Sequence, residues 1–149
     1  MNTILLIAFL LMLLLITITD IKKRQIPNRY VTVIGIIAIM ATVFQNEMSL
    51  PNRFIGLLVV SLPLLIITMI VPNAFGGGDI KLMAASGFYL GLELILLSFF
   101  FAVLSGGLYG VWLLVVKKKG RKEYFAFGPF LCGGMVFAVF FGAYVLERI

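Results

Sequence analysis

The 149-residue chain is 62% hydrophobic and only 12% charged, far more apolar than an ordinary soluble domain. Its net charge of +6 is concentrated in two short stretches beside apolar runs, which reads as membrane topology and leaves no basic surface large enough to track nucleic acid. Histidine is absent and Cys132 is the single cysteine, which excludes Ser-His-Asp and Cys-His catalysis, histidine-bound zinc and an intramolecular disulfide.

Met1–Thr19 carries no positive side chain, and Ile4–Ile18 is apolar throughout. The basic residues Lys22, Lys23, Arg24 and Arg29 come afterwards. A secretory signal would place them first and add a small-residue cleavage site. The run therefore reads as a retained first span over 3–19 with its N-terminus outside. Asp20 closes it. A carboxylate there faces the negative end of the helix dipole, so capping does not account for it. Pro27-Asn28 then reads as a turn into a second span over 30–44.

Gln45–Arg53 is polar and reads as an outer loop. Phe54–Val71 forms a third span, with Pro63 expected to kink it. Pro72-Asn73 ends it. Next come Ala74-Phe75-Gly76-Gly77-Gly78-Asp79-Ile80-Lys81. Three successive glycines open backbone conformations closed to other residues and allow another chain to approach closely. They deliver Asp79 to the start of the next helix. A carboxylate at membrane depth is costly and is functional by default.

Ile80–Leu90 is a short fourth segment, followed by a tight turn at Gly91-Leu92-Glu93. A fifth span covers 94–116, where Ser105-Gly106-Gly107 and Gly110 offer a small-residue face for close helix contact. Lys117–Lys122 is strongly basic. The sixth span, 124–146, carries Phe127-Gly128-Pro129-Phe130 near its start. The expectation is an all-α integral membrane protein, one domain over 1–149 with six transmembrane helices. With the N-terminus outside, all of the 12 basic residues except Arg53 and Arg148 fall on the cytoplasmic side, a strong positive-inside pattern. Asp20 and Asp79 then share that side at similar depth.

These are the only two aspartates. Two carboxylates held close cannot both ionise cheaply, so one keeps a proton. Such a pair can activate a water and protonate a carbonyl oxygen or a leaving amine. Plainer readings stand beside this one. Asp79 after glycine is a good N-cap. Asp20 could be a solvated charge paired with Lys22 or Lys23, which contributes little. Lys81 either tunes the carboxylates or anchors its helix at the interface. Lys117–Lys122 reads as topology signal and lipid-headgroup contact, Phe127–Phe130 as a kinked helix start, and Cys132 as packing. Glu93 and Glu147 lie on the outer side and Glu123 in a basic loop, so none suits the pair. The competing class is a small transporter or assembly subunit that binds a cation or proton on the aspartates; transporters more typically show interrupted helices in two related halves.

The stretch Asp20-x-x-x-Arg24-x-Ile26-Pro27-Asn28 after a first span resembles the first aspartate motif of type IV prepilin peptidases. Gly76-Gly77-Gly78-Asp79-Ile80-Lys81-Leu82 is similar to their GxGD motif, and Phe127-Gly128-Pro129-Phe130-Leu131 to a segment of their last span. The three occur in the family's order and cover essentially the whole chain. The resemblance implies an intramembrane aspartic endopeptidase of the bacterial cytoplasmic membrane, with Asp20 and Asp79 as the catalytic pair and no metal or cofactor. Gly76, Gly77, Gly78, Lys81, Arg24, Pro27, Asn28, Gly128 and Pro129 would be supporting or substrate-binding residues. The substrate would be a prepilin or pseudopilin, cut between its short basic leader and its apolar helix at the cytoplasmic face. Membrane lipid is an expected partner and nucleic acid is not; oligomeric state is not implied. Many relatives carry an extra cytoplasmic segment with paired cysteines and methylate the new N-terminus. This chain passes from its first span straight into the aspartate motif, so it resembles the short peptidase-only members of tight-adherence (Flp-type) pilus systems, and N-methylation is not expected of it.

Overall fold

The structure, a computed structural model, describes residues 2–44, 48–72, 74–116 and 126–148. The basic run Lys117–Lys122, Glu123 and the expected start of the last span at Tyr124 lie outside these residues, as does Asn73. Five helices follow one another: α1 Thr3–Lys23, α2 Asn28–Phe44, α3 Leu50–Ile70, α4 Gly77–Val116 and α5 Gly128–Leu146. The described residues are thus all-helical, as the apolar blocks require: a backbone in lipid must satisfy its own hydrogen bonds. By length and composition α1, α3, α5 and the 77–113 part of α4 can each cross a membrane, while α2 is a shorter apolar helix.

Local sequence explains the helix ends. The side chain of Asn2 accepts the N–H of Ile4 at 3.1 Å and caps α1. Lys22 and Lys23 occupy its last turn, where cations suit the dipole. The helix runs one turn past Asp20 because Ile21-Lys22-Lys23 contains no breaker. It stops where Arg24 turns left-handed (φ 51°, ψ 36°) and donates its N–H to the Asp20 carbonyl at 2.7 Å. Pro27 directly precedes α2, and Pro51 and Pro129 sit in the first turns of α3 and α5, where the missing N–H costs nothing. Pro63 lies inside α3.

Two expectations change in detail. The tight turn over 91–93 reduces to one residue: Gly91 alone is non-helical (φ 80°, ψ 179°), and helix resumes at once. A positive φ of this kind favours glycine. The outer loop also ends earlier than expected, since α3 begins at Leu50 and takes in Asn52 and Arg53. Asn52 and Arg53 then secure the break at Gly91. Asn52 accepts the N–H of Leu92 at 2.8 Å, capping the helix that follows. Arg53 is 1% exposed, and its guanidinium donates to the carbonyl of Phe88 before the break and to that of Ala41 near the end of α2, each at 3.4 Å.

Helix α4 packs against α2, α3 and α5, and α1 closes the bundle between α2 and α5. The α3–α4 seam is a backbone contact. A Cβ on Gly87 would lie 2.7 Å from the carbonyl carbon of Gly56 and 3.2 Å from Cα of Leu57. Small residues allow such approach between membrane helices. On the α5 side the close contact falls at Gly134 against the Ser98 carbonyl, while Gly107 faces open space and Gly106 faces the ring of Phe127. Phe9, Ile16, Ile34, Leu82, Met83, Leu131 and Met135 are fully buried at the centre. Phe9 stacks on Tyr89 with ring centroids 4.5 Å apart, joining α1 to the 77–90 part of α4.

Candidate active site

Asp20 ends up in the last turn of α1 with its side chain turned inward, 5% exposed. The plain reading of a solvated charge paired with Lys22 or Lys23 fails on that burial. Its carboxylate is held from across the bundle: the backbone N–H of Gly128 donates to Oδ2 at 3.0 Å. Gly128 is the first residue of α5, where N–H groups have no partner within the helix and point at anions. Pro129 follows it in the first turn, so the helix starts where the carboxylate needs it.

One turn deeper, the same two helices meet again. Thr17, three residues before Asp20, neighbours Cys132, four residues after Gly128. These spacings put both contacts on one face of each helix. The Thr17 hydroxyl also donates to the Leu13 carbonyl at 2.8 Å. Cys132 is buried and close enough to both aspartates to feel their charge. Its helical spacing from Gly128 was the available signal for this neighbourhood, which a plain packing role did not anticipate.

Asp79 sits in the first turn of α4, half-buried. Its carboxylate lies against the backbone of Gly76, and Ile80 donates its N–H to the Gly76 carbonyl at 3.3 Å. This is one half of a capping box, with the acidic side chain reaching back to the residue that precedes the helix. Asp79 therefore does serve the helix end, and it does so while lying within electrostatic range of Asp20.

The link between the two aspartate segments is Ile26, in the α1–α2 connection. A Cβ on Gly78 would meet Ile26 Cβ at 2.8 Å, and one on Gly128 would meet Ile26 Cδ1 at 3.3 Å. A single side chain thus touches the residue before Asp79 and the residue that holds Asp20. Lys81 adds a second tie, donating from Nζ to Oδ1 of Asn28 at 3.2 Å. The two segments lie side by side although more than fifty residues separate Asn28 from Lys81 in the chain.

The remaining motif residues sort by position. Gly76 lies close to the Asp79 carboxylate, 3.1 Å from Oδ2 to a built Cβ, while Gly77 faces open space. Among the described residues Gly91 is the one glycine with positive φ. The Gly76–Gly78 run is thus used for close approach and not for unusual dihedrals. Arg24 is exposed and contributes through its backbone; Pro27 is half-buried beside Ile26. An aromatic chain flanks the site: Phe75, just before the glycines, lies 6.0 Å from Phe127, and Phe127 lies 6.4 Å from Phe130, which packs on Tyr109 of α4 at 5.4 Å. Among the described residues no three His, Cys, Asp or Glu side chains are grouped as a metal ion would need.

The sequence profile of the type IV leader peptidase family matches residues 7–111, which include both aspartates. The prepilin leader peptidase/N-methyltransferase of Bacillus subtilis (strain 168) is 30% identical over 141 residues, covering 95% of this chain and 57% of that protein. The prepilin leader peptidase/N-methyltransferase of Legionella pneumophila is 33% identical over 72 residues, 48% of this chain and 25% of that protein. The chain thus spans little more than half the length of the first of these relatives. No solved structure matches it.

Proposed function

Since the chain belongs to the type IV leader peptidase family, we propose that it is an aspartic endopeptidase that removes the leader from prepilins or pseudopilins, with Asp20 and Asp79 as the catalytic pair. The observation that carries this reading is the convergence of two carboxylates from distant segments on one site, joined through Ile26 and Gly128. Among six acidic residues, these two alone lie in the stretches that resemble the family's aspartate motifs.

The chemistry is direct hydrolysis without a covalent intermediate. One ionised carboxylate takes a proton from a water as its oxygen attacks the scissile carbonyl. The protonated partner stabilises the developing oxyanion and supplies a proton to the amine that leaves. The pair ends with its single shared proton restored. Gly128 fixes Asp20 by a backbone donor, and Asp79 is held against Gly76 at the start of its helix, so the carboxylates are placed before the substrate arrives. Cys132 and Thr17 form the floor beneath the pair, and Asn28 with Lys81 locks the two segments at its rim.

Counted as two spans joined at Gly91, α4 brings the number of crossings to six in a single domain. We place the N-terminus outside and the two aspartates at the cytoplasmic face of the bacterial inner membrane, since ten of the 12 basic residues then lie inside. Water reaches the pair there while an apolar substrate helix approaches from the bilayer. The reading is of a peptidase of the tight-adherence type. N-methylation lies outside it, although the relatives' names include it.

Co-expression with a tagged candidate prepilin tests the proposal. The wild type should give a leader-sized mobility shift and Asp79→Ala none. A shift that survives Asp79→Ala would overturn the catalytic pair.

A further inference from the structure

The end of α1 and the start of α2 enclose a groove of about 320 Å³ that neither aspartate lines. Three cations line it: Lys22, Lys23 and Arg29. All three are exposed, and among the described residues none of them has an ion-pair or hydrogen-bond partner. The single acidic residue before Glu47 is Asp20. It is buried and committed to the Gly128 N–H, so it does not neutralise them. Three positive side chains therefore line the cavity, and among the described residues no acidic side chain pairs with them.

The other walls are apolar. Ile18, Pro27 and the ring of Tyr30 supply them, and Thr19, whose hydroxyl donates to the Leu15 carbonyl, completes the lining. From Ile18 an exposed strip continues along α1 through Leu15 and Leu11, residues that helical spacing places on one face. The site thus has a cationic mouth at the end of an apolar helix and a greasy track leading into the span. A free anion would use the mouth alone; an amphiphile with an anionic head uses both. Basic pockets between membrane helices suit phospholipid headgroups.

We propose that the groove between α1 and α2 is a binding site for the phosphate headgroup of an anionic phospholipid, with its acyl chains lying along Ile18, Leu15 and Leu11. Lys22, Lys23 and Arg29 contact the head. The lipid would sit against Pro27, next to Ile26, and brace the connection that joins the two aspartate segments. This assignment stands on the groove and does not depend on the peptidase reading.

The test uses the full chain purified in a neutral detergent and native mass spectrometry with added phosphatidylglycerol or phosphatidylcholine. Wild type should retain phosphatidylglycerol at least ~10-fold better. At roughly fivefold for each cation, the K22Q/K23Q/R29Q variant should lose on the order of 100-fold in that retention, and the charge-preserving K22R/K23R variant should keep it. Equal retention of the two lipids by wild type overturns the proposal, and does so even if the triple variant cannot be purified. Unchanged phosphatidylglycerol retention by the triple variant overturns it too. Displacement of the lipid by equimolar inorganic phosphate would make the groove a free-anion site, and displacement by equimolar oligoglutamate a peptide site; either outcome overturns the lipid assignment.

Discussion

The Gly128 backbone N–H lies 3.0 Å from Oδ2 of Asp20, across 108 residues of chain. The contact leaves no room for a side chain: a Cβ on Gly128 would sit against that oxygen and 3.0 Å from Cγ. The atoms it meets belong to a side-chain end and not to backbone, so Gly128→Ala should fold and displace the carboxylate. Misplacing a reacting group by about an ångström can cost ~10²-fold. The expected result is a fall of that order in kcat for leader removal, with KM little changed and thermal stability within ~1 kcal/mol of wild type. A rise in KM alone would assign Gly128 to substrate contact.

For the aspartates themselves, Asp20→Ala and Asp79→Ala should each remove at least ~10²–10⁴-fold of activity, the usual worth of an acid–base group. Asn at either position should be as damaging, because an amide takes up no proton at neutral pH. A role confined to the helix start gives the opposite result at Asp79, since the side-chain oxygen of Asn can still face the backbone N–H of the residue before the helix. Cleavage kinetics and monodispersity in detergent, measured on the same four variants, separate the two roles.

What the chain discloses by itself divides by range. Both aspartates, the glycines before Asp79 and the Gly128-Pro129 helix start stand out because each breaks an apolar run, and a break in a membrane helix needs a reason. The reason for Gly128 is not local. Its partner lies 108 residues away, and only the folded bundle shows that its N–H serves Asp20. Thr17 and Cys132 were hidden for a different cause: each is compatible with an apolar helix, so neither interrupts the pattern. Arg53 was read as a loop residue because Gln45–Arg53 is polar. Ser49 with Pro51 two positions on is a helix-start pattern, and recognising it would have put Arg53 inside α3.

Arg53 yields a stability prediction. Its guanidinium spans the carbonyls of Ala41 and Phe88, tying the end of α2 to the helix that carries Asp79. Arg53→Met keeps much of the volume and leaves those carbonyls short of a donor. A lost partner in a buried site costs ~1–3 kcal/mol, so thermal unfolding in detergent should move down clearly. Arg53→Lys should recover only part, because an ammonium lacks the guanidinium's fork. Asn52→Ala removes the cap on Leu92 and should cost about 1 kcal/mol. No change in unfolding temperature for either residue would mean that the break at Gly91 holds without them.

Arg24 tests whether a motif residue acts through its side chain or its backbone. It holds the left-handed conformation that ends α1 (φ 51°), four residues past Asp20, and its side chain is exposed. A non-glycine residue pays roughly 1–2 kcal/mol for that conformation, and glycine is the usual occupant of such a helix end. Arg24→Gly should therefore raise the unfolding temperature and keep cleavage near the wild-type rate. A stabilised but inactive protein would show that the guanidinium itself is required.

The three glycines before Asp79 should not be equivalent. None needs a positive φ, so each matters only through what a Cβ would strike. At Gly77 it strikes nothing within 4 Å, and alanine there should be neutral or slightly stabilising by its better helix propensity, up to ~1 kcal/mol. At Gly76 it meets Oδ2 of Asp79 at 3.1 Å, a contact that shifts the carboxylate by a few tenths of an ångström; a partial loss of activity is expected. At Gly78 it meets Cβ of Ile26 at 2.8 Å and the Ile26 carbonyl oxygen at 3.3 Å. Backbone cannot swing aside, so the α1–α2 connection must retreat and take the Asp20 segment with it. The order of remaining activity should be Gly77→Ala, then Gly76→Ala, then Gly78→Ala. Pairing Gly78→Ala with Ile26→Ala should return little of the loss, because the atoms struck, Cβ and the carbonyl oxygen of residue 26, remain in alanine. If Gly77→Ala proved as harmful as Gly78→Ala, the glycines would be serving passage of the substrate backbone, and the packing of Ile26 would not be what joins the two aspartates.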